Sequence, residues 1–190
     1  GVITAQMSEP MKVMQLIRPK SIRKLASGNY ILDMGQNFSG WIAVKNLKGK
    51  AGDQVVLRFA ESLKPDGELY VANLRDAKVT DVYTLKGTGT ENWEPSFVYH
   101  GFRFVEIAAF PGTPLLSQFE GKMVYDALET TGTFETANET INKVYRNAWW
   151  GIASNYKGMP VDCPQRNERQ PWLGDRTVGA QGESYVFGNG

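Results

Sequence analysis

The sequence predicts a two-part β + α chain, an antiparallel β-sandwich followed by a helical segment. Three observations carry this. Up to about residue 126, short apolar runs alternate with Gly, Pro, Asn and Asp. After residue 127 the apolar spacing changes to three and four. Nowhere do strand-like and helix-like runs alternate as βαβ units would require.

The β part contributes six candidate strands: Tyr30–Met34, Trp41–Leu47, Gln54–Glu61, Val79–Leu85, Phe102–Phe110 and Phe119–Tyr125. Within Gln54–Ala60, Val55, Leu57 and Phe59 fall on one face, and Gln54, Val56, Arg58 and Ala60 on the other. Turn chemistry lies between the runs, as in Lys48–Asp53 and Pro65-Asp66-Gly67. The helical part opens on Thr136-x-x-Glu139, a capping-box pattern in which the Thr hydroxyl satisfies a first-turn amide. Ile141, Val144, Tyr145, Ala148, Trp149, Ile152 and Tyr156 then form one apolar stripe, and Gly158 and Pro160 end it. A second helix is expected from near Gly174 to about Phe187. Two helices cannot bury a core of their own, so this part is expected to open a larger helical domain that these residues do not complete. The terminal Gly188-Asn189-Gly190 reads accordingly as an interruption.

Composition narrows the function classes. Of the 190 residues, 42% are hydrophobic and 22% charged, an ordinary globular balance. The 21 basic and 20 acidic side chains leave no field to attract nucleic acid or an anionic membrane, so neither is an expected partner. Apolar runs fall short of the roughly 18 residues of a membrane helix. The N-terminal GVITAQMSEP has no charged-then-apolar signal pattern. A single cysteine, Cys163, and a single histidine, His100, argue against a disulfide framework and most transition-metal sites, and no metal ligand set is expected. GxGxxG and P-loop patterns are absent, and no cofactor is expected.

The chemistry concentrates between the two helices. Residues 159–176 hold Asp162, Glu168 and Asp175 against Arg166, Arg169 and Arg176, together with Trp172, Cys163 and the prolines Pro164 and Pro171 that limit the loop's freedom. Cleavage of a glycosidic bond uses such groups: a carboxylic acid to protonate the leaving oxygen, further carboxylates and guanidinium groups to orient it, and an indole to pack on a sugar ring. The same residue types also read as a structural ion-pair network, three acids against three arginines.

The run Asp162-Cys163-Pro164-x-Arg166-x-Glu168-Arg169-x-x-Trp172-x-Gly174-Asp175 resembles the signature of bacterial α-L-rhamnosidases, glycoside hydrolase family 78. In the β part, Gly35-Gln36-Asn37-x-x-Gly40-Trp41, Arg58-x-x-Glu61 and Tyr99-x-Gly101-Phe102-Arg103-Phe104-Val105 look like landmarks of the same family. The resemblance implies a concanavalin-like, jelly-roll type β-sandwich over residues 1–126, and over 127–190 the N-terminal part of an (α/α)6-barrel catalytic domain. It implies inverting hydrolysis of terminal α-L-rhamnosides, with Glu168 as general acid. By position, Asp162, Arg166 and Trp172 match residues lining the rhamnose pocket, and Asp175 matches a further acid of the site. Asn167, counted with the substrate-binding residues, stands where the family commonly has Asp, and losing that charge is expected to make Glu168 more acidic. The implied partners are a rhamnose-containing carbohydrate and the remainder of the catalytic domain, which would supply the general base. Without that base these residues alone are expected to be inactive. A secreted or periplasmic location is implied by the family only. The rival expectation is a non-catalytic carbohydrate-binding or scaffolding module, for which sugar binding by residues 1–126 alone would speak.

The remaining polar residues have plainer readings. His100 is expected to be a satisfied structural histidine and Cys163 a small buried hydrophobe. Trp41, Trp93, Trp149 and Trp150 are expected in the core. Asp66, Glu68, Asp76 and Asp81 read as surface charge, and Glu183 as a surface or packing residue.

Overall fold

A computed structural model describes residues 1–188; the terminal Asn189-Gly190 of the expected interruption lies outside the described residues. Ten strands come first: β1 (Met11–Ile17), β2 (Ser21–Lys24), β3 (Tyr30–Leu47), β4 (Gln54–Ala60), β5 (Ser62–Leu63), β6 (Leu69–Tyr70), β7 (Thr80–Thr84), β8 (Glu91–Trp93), β9 (His100–Ala109) and β10 (Phe119–Asp126). Two helices follow, α1 (Glu139–Asn155) and α2 (Leu173–Ser184). Every strand pairing is antiparallel, in the order β1-β10-β3-β9-β4-β7, with β5 and β6 forming a separate ribbon.

Strand β3 organises this sheet. It joins two segments that the sequence pattern separates, because Gly35-Gln36-Asn37 forms a bulge rather than a turn. The register with β9 slips between Asp33 and Phe38, which face Phe104 and Phe102. Gly35 takes a left-handed φ of 74°, and its N–H donates to Asp33 Oδ1 at 2.7 Å. Arg103 forks onto Asp33 with two bonds of 2.9 Å and holds that carboxyl below its usual range, helped by Gly35 and opposed by partial burial. A bulge of this kind bends the strand and re-aims its side chains, here Gln36 and Asn37. Successive segments of one edge of β3 pair with β2 and β10, and of the other with β9 and β8.

The core is aromatic. Phe38, Phe59 and Phe102 are buried, with Phe102 4.6 Å from Phe38 and 4.8 Å from Phe59 between ring centres. The alternation in β4 holds: Val55, Leu57 and Phe59 are buried while Gln54 and Arg58 face outward. His100 stacks on Phe59 and bonds Asp81 Oδ1 at 2.9 Å, so it is the satisfied histidine expected. Asp81 is not the surface charge that its neighbours in sequence suggest, since the histidine draws it inward. Trp41 also departs from a core role. It is half-buried, and its indole N–H donates to Glu94 at 2.7 Å.

Helix α1 starts two residues later than the Thr136 pattern implies. Asn138 caps it, its side-chain oxygen accepting from Thr140 N and Ile141 N, while Thr136 Oγ1 accepts from Asn138 N. Asparagine satisfies those amides as well as threonine does. The buried face runs through Asn142, Ala153, Ser154 and, just beyond, Tyr156; Ile141 and Val144 of the expected stripe remain exposed. Trp149 meets Tyr125 of β10 edge-on at 6.0 Å, which seats the helix against the sheet. Its C-terminal end is tied there too: Asp126 N donates to Tyr156 O, Gly158 N to Asp126 Oδ1 and Lys157 Nζ to Val124 O.

Candidate active site

Between the helices, residues 156–172 fold back across the sheet. Asp162 closes the loop's base. Its N–H donates to Gln170 O at 3.1 Å and its Oδ1 accepts from Gln170 N at 2.7 Å. Burial opposes ionisation of Asp162, but these bonds and the Cys163 thiol outweigh it and lower its pKa. Cys163 is buried, as a small hydrophobe would be, with its Sγ 3.4 Å from Asp162 Oδ2. The loop lies tightly on β9 at Gly101. A β-carbon there would stand 2.9 Å from Pro164 Cγ and 3.0 Å from Gln165 N, so only glycine allows the approach.

The ion-pair network open in the sequence is realised at one point only. Arg166 donates to Glu168 Oε2 through Nε at 3.0 Å and Nη2 at 2.6 Å, and Arg75 adds a contact of 3.4 Å to the same oxygen. Arg169 pairs with no acid among the described residues. It donates to Tyr99 O at 2.9 Å and Pro164 O at 3.1 Å, and its guanidinium lies 4.1 Å over the Tyr99 ring. Arg176 turns away to Glu183, which also accepts from Tyr156 Oη at 2.7 Å, so Glu183 is a buried packing residue rather than a surface one. Asn167 donates to Asp76 Oδ1 at 2.8 Å.

The predicted site residues therefore separate into two groups. Asp162, Arg166 and Glu168 converge, with an oxygen of Asp162, an oxygen of Glu168 and Cys163 Sγ all within 4.8 Å of one another. Two arginines already sit on Glu168, which makes the cluster a poor cradle for a cation. Trp172 and Asp175 stand at the start of α2 and are exposed, with no side-chain hydrogen bond or ion pair among the described residues. Glu168 Oε1 likewise accepts no hydrogen bond among the described residues; both bonds from Arg166 and the nearest approach of Arg75 fall on Oε2. Arg75 and Asp76, which anchor the loop from the β part, lie in an ordinary charged segment after the turn Ala72–Leu74 and carry no motif. Tyr99 does lie in a legible one, Tyr-x-Gly-Phe-Arg-Phe-Val.

A cleft of about 400 Å³ opens beside Asp162, between the β3 bulge and α1. Gln36, Asn37 and Glu61 form one wall, and Trp150, Ser154 and Asn155 the other.

The concanavalin-like domain of bacterial α-L-rhamnosidases matches residues 23–125, and their six-hairpin glycosidase domain matches residues 129–190. The chain belongs to the bacterial α-L-rhamnosidase family. The α-L-rhamnosidase of Streptomyces avermitilis is 40% identical over 185 residues, which cover 97% of this chain and 18% of that protein. One from Alteromonas sp. is 37% identical over 87% of this chain. Among solved structures, the α-L-rhamnosidase of Dictyoglumus thermophilum superposes with a TM-score of 0.93 at 42% identity, covering 96% of this chain and 21% of that one. The Streptomyces avermitilis enzyme complexed with L-rhamnose also gives 0.93, at 40% identity, over 97% of this chain and 18% of that one. The chain thus spans about a fifth of the length of these rhamnosidase relatives. The sandwich and the barrel start expected from the resemblance fit these neighbours and the observed antiparallel sheet with its two helices.

Proposed function

We propose that this chain is the acid-bearing part of a glycoside hydrolase that removes terminal α-L-rhamnose with inversion, with Glu168 as proton donor. The observation that carries the assignment is the asymmetry of the Glu168 carboxyl group. Arg166 and Arg75 fix Oε2, while Oε1 is left to face a substrate oxygen. A general acid must present one oxygen in a set direction, and a forked guanidinium on the other oxygen supplies that direction.

Asp162, Arg166, Asn167, Trp172 and Asp175 are the residues we assign to the sugar pocket. Asp162 does not serve as the base. Inversion requires a water between carboxyl groups roughly 6.5–9.5 Å apart, whereas oxygens of Asp162 and Glu168 lie within 4.8 Å, and both Asp162 oxygens already accept hydrogen bonds. The base belongs to the remainder of the catalytic domain, which would begin at residue 127 after a sandwich domain over 1–126. The family relation and the convergence of Asp162, Arg166 and Glu168 support this reading.

The test is Glu168→Gln in the complete enzyme. Turnover of an alkyl rhamnoside, whose leaving group needs a proton, should fall about 10²–10⁴-fold, and that of an aryl rhamnoside with an acidic phenol much less. Equal turnover by wild type and variant on the alkyl substrate would remove Glu168 from the role.

A further inference from the structure

The cleft beside Asp162 has the composition of a sugar site without containing the acid. Its volume of about 400 Å³ lies within the ~300–1,000 Å³ usual for small-molecule sites. The β3 bulge presents Gln36, and Glu61 stands beside it. Opposite, α1 presents the Trp150 indole. No formal cation lines it, so a phosphate or carboxylate finds no counter-charge. Amide, hydroxyl and carboxylate groups around an indole suit a neutral ring bearing several hydroxyls, which can donate and accept while packing its C–H face.

Two polar atoms at the cleft wall lack partners. Ser154 is buried, 6% exposed, and its Oγ makes no hydrogen bond among the described residues; neither does Asn155 Oδ1. A buried hydroxyl or carbonyl without a partner costs about 1–3 kcal/mol, so such atoms call for an explanation. Neither atom is accessible as it stands, and a turn of its side chain toward the cleft would let a ligand hydroxyl satisfy it.

We propose that this cleft is a second sugar subsite, built jointly by the β3 bulge and α1, which holds the pyranose ring next to the one at Glu168. Asp162 lines the cleft and also lies beside Glu168, which places the two positions on either side of one residue. That the neighbouring ring is rhamnose rests on the function proposed above; the cleft's selection of a neutral polyhydroxylated ring does not. The consequence is that the β part takes part in choosing the sugar that carries the rhamnose.

Gly151 offers a clean block. It lines the cleft, and a β-carbon built on it meets nothing within 4 Å, so a side chain can leave the helix there, and leucine suits a helix better than glycine. The 190-residue chain would be titrated with the disaccharide α-L-rhamnosyl-(1→6)-D-glucose and followed by NMR. Saturable shifts are expected at the Trp150 indole N–H and the Gln36 and Asn155 side-chain amides. Gly151→Leu should weaken this binding about tenfold or more, and Ser154→Ala by a smaller factor. Binding at these groups involves no proton transfer, so a failed acid assignment, read from the turnover of Glu168→Gln, and a failed subsite, read from these shifts, are told apart. No saturable shift at these three groups, or equal affinity in Gly151→Leu, would overturn the proposal.

Discussion

The two halves of the signature loop are held very differently. From Asp162 to Gln170, nearly every polar side chain is anchored: Asp162 to Gln170, Asn167 to Asp76, Glu168 to Arg75 and Arg166, Arg169 to Tyr99. From Pro171 to Asp175 the side chains stand in solvent, with Leu173 80% exposed and Trp172 50% exposed. The anchors of the first half come largely from the β part, 70 to 93 residues earlier in the chain. The β part is therefore more than a neighbour of the helical part, since its connecting segments hold the loop and Arg75 reaches the carboxylate proposed as the acid. The second half leaves its indole and its carboxylate exposed.

The sharpest way to break this comparison is Arg169→Ala. The side chain donates to two main-chain carbonyls and lies over Tyr99, so its loss leaves partly buried acceptors unmatched and removes a cation–π contact. A cost of about 2–4 kcal/mol is expected from the urea midpoint at constant m-value. Trp172→Ala, in the exposed half, should stay within about 0.5 kcal/mol. Equal costs would mean that the halves are not held differently.

Lys157, under the first half, gives a pH-dependent version of the same test. Its ammonium is buried against the Tyr99 ring and Val124 O, and desolvation lowers its pKa to about 7, with Asp126 opposing the shift and Arg169 adding to it. Between pH 7 and 10.5 the unfolded chain then holds more protons on this group than the folded one. Stability should accordingly rise with pH across that window, by at most about 1.4 kcal/mol per unit. Lys157→Met should flatten the slope in chemical unfolding measured from pH 6 to 10. A slope that survives the substitution would assign the effect to other groups.

What could be read from the sequence follows the same division. Strand β4, the capped amphipathic helix and the loop signature are local patterns, and local patterns are legible. The fusion of two expected strands into β3 was not, because Gly35-Gln36-Asn37 carries the residues of a turn and only the register with β9 makes it a bulge. Asp81 reads as surface charge until the fold brings His100, 19 residues away, into contact with it. Ile141 and Val144 belong to a correctly placed apolar stripe, yet the face that meets the sheet is centred on Ala153 and Tyr156, so periodicity gave the helix but not the side that is covered here. Within the site, Asp162, Arg166 and Glu168 are legible because they share one short loop. Arg75 and Asp76 are not, since their roles arise from contacts across 93 and 91 residues, set by topology alone.

The smallest effect sharpens the comparison at one pair. Asn167 stands where the motif resemblance leads to the expectation of Asp, and its amide donates to the Asp76 carboxylate. Asn167→Asp would set two carboxylates at that 2.8 Å contact. Both residues are exposed, so water screens the repulsion and the expected cost is only about 0.5–1 kcal/mol. Adding Asp76→Asn should restore stability, because an amide can then donate back to the new acid. A double-mutant cycle by urea unfolding measures this coupling directly. Strict additivity of the two substitutions would show that the hydrogen bond does not tie the loop to the β part, and that Arg75, Tyr99 and the close approach at Gly101 hold the first half without it.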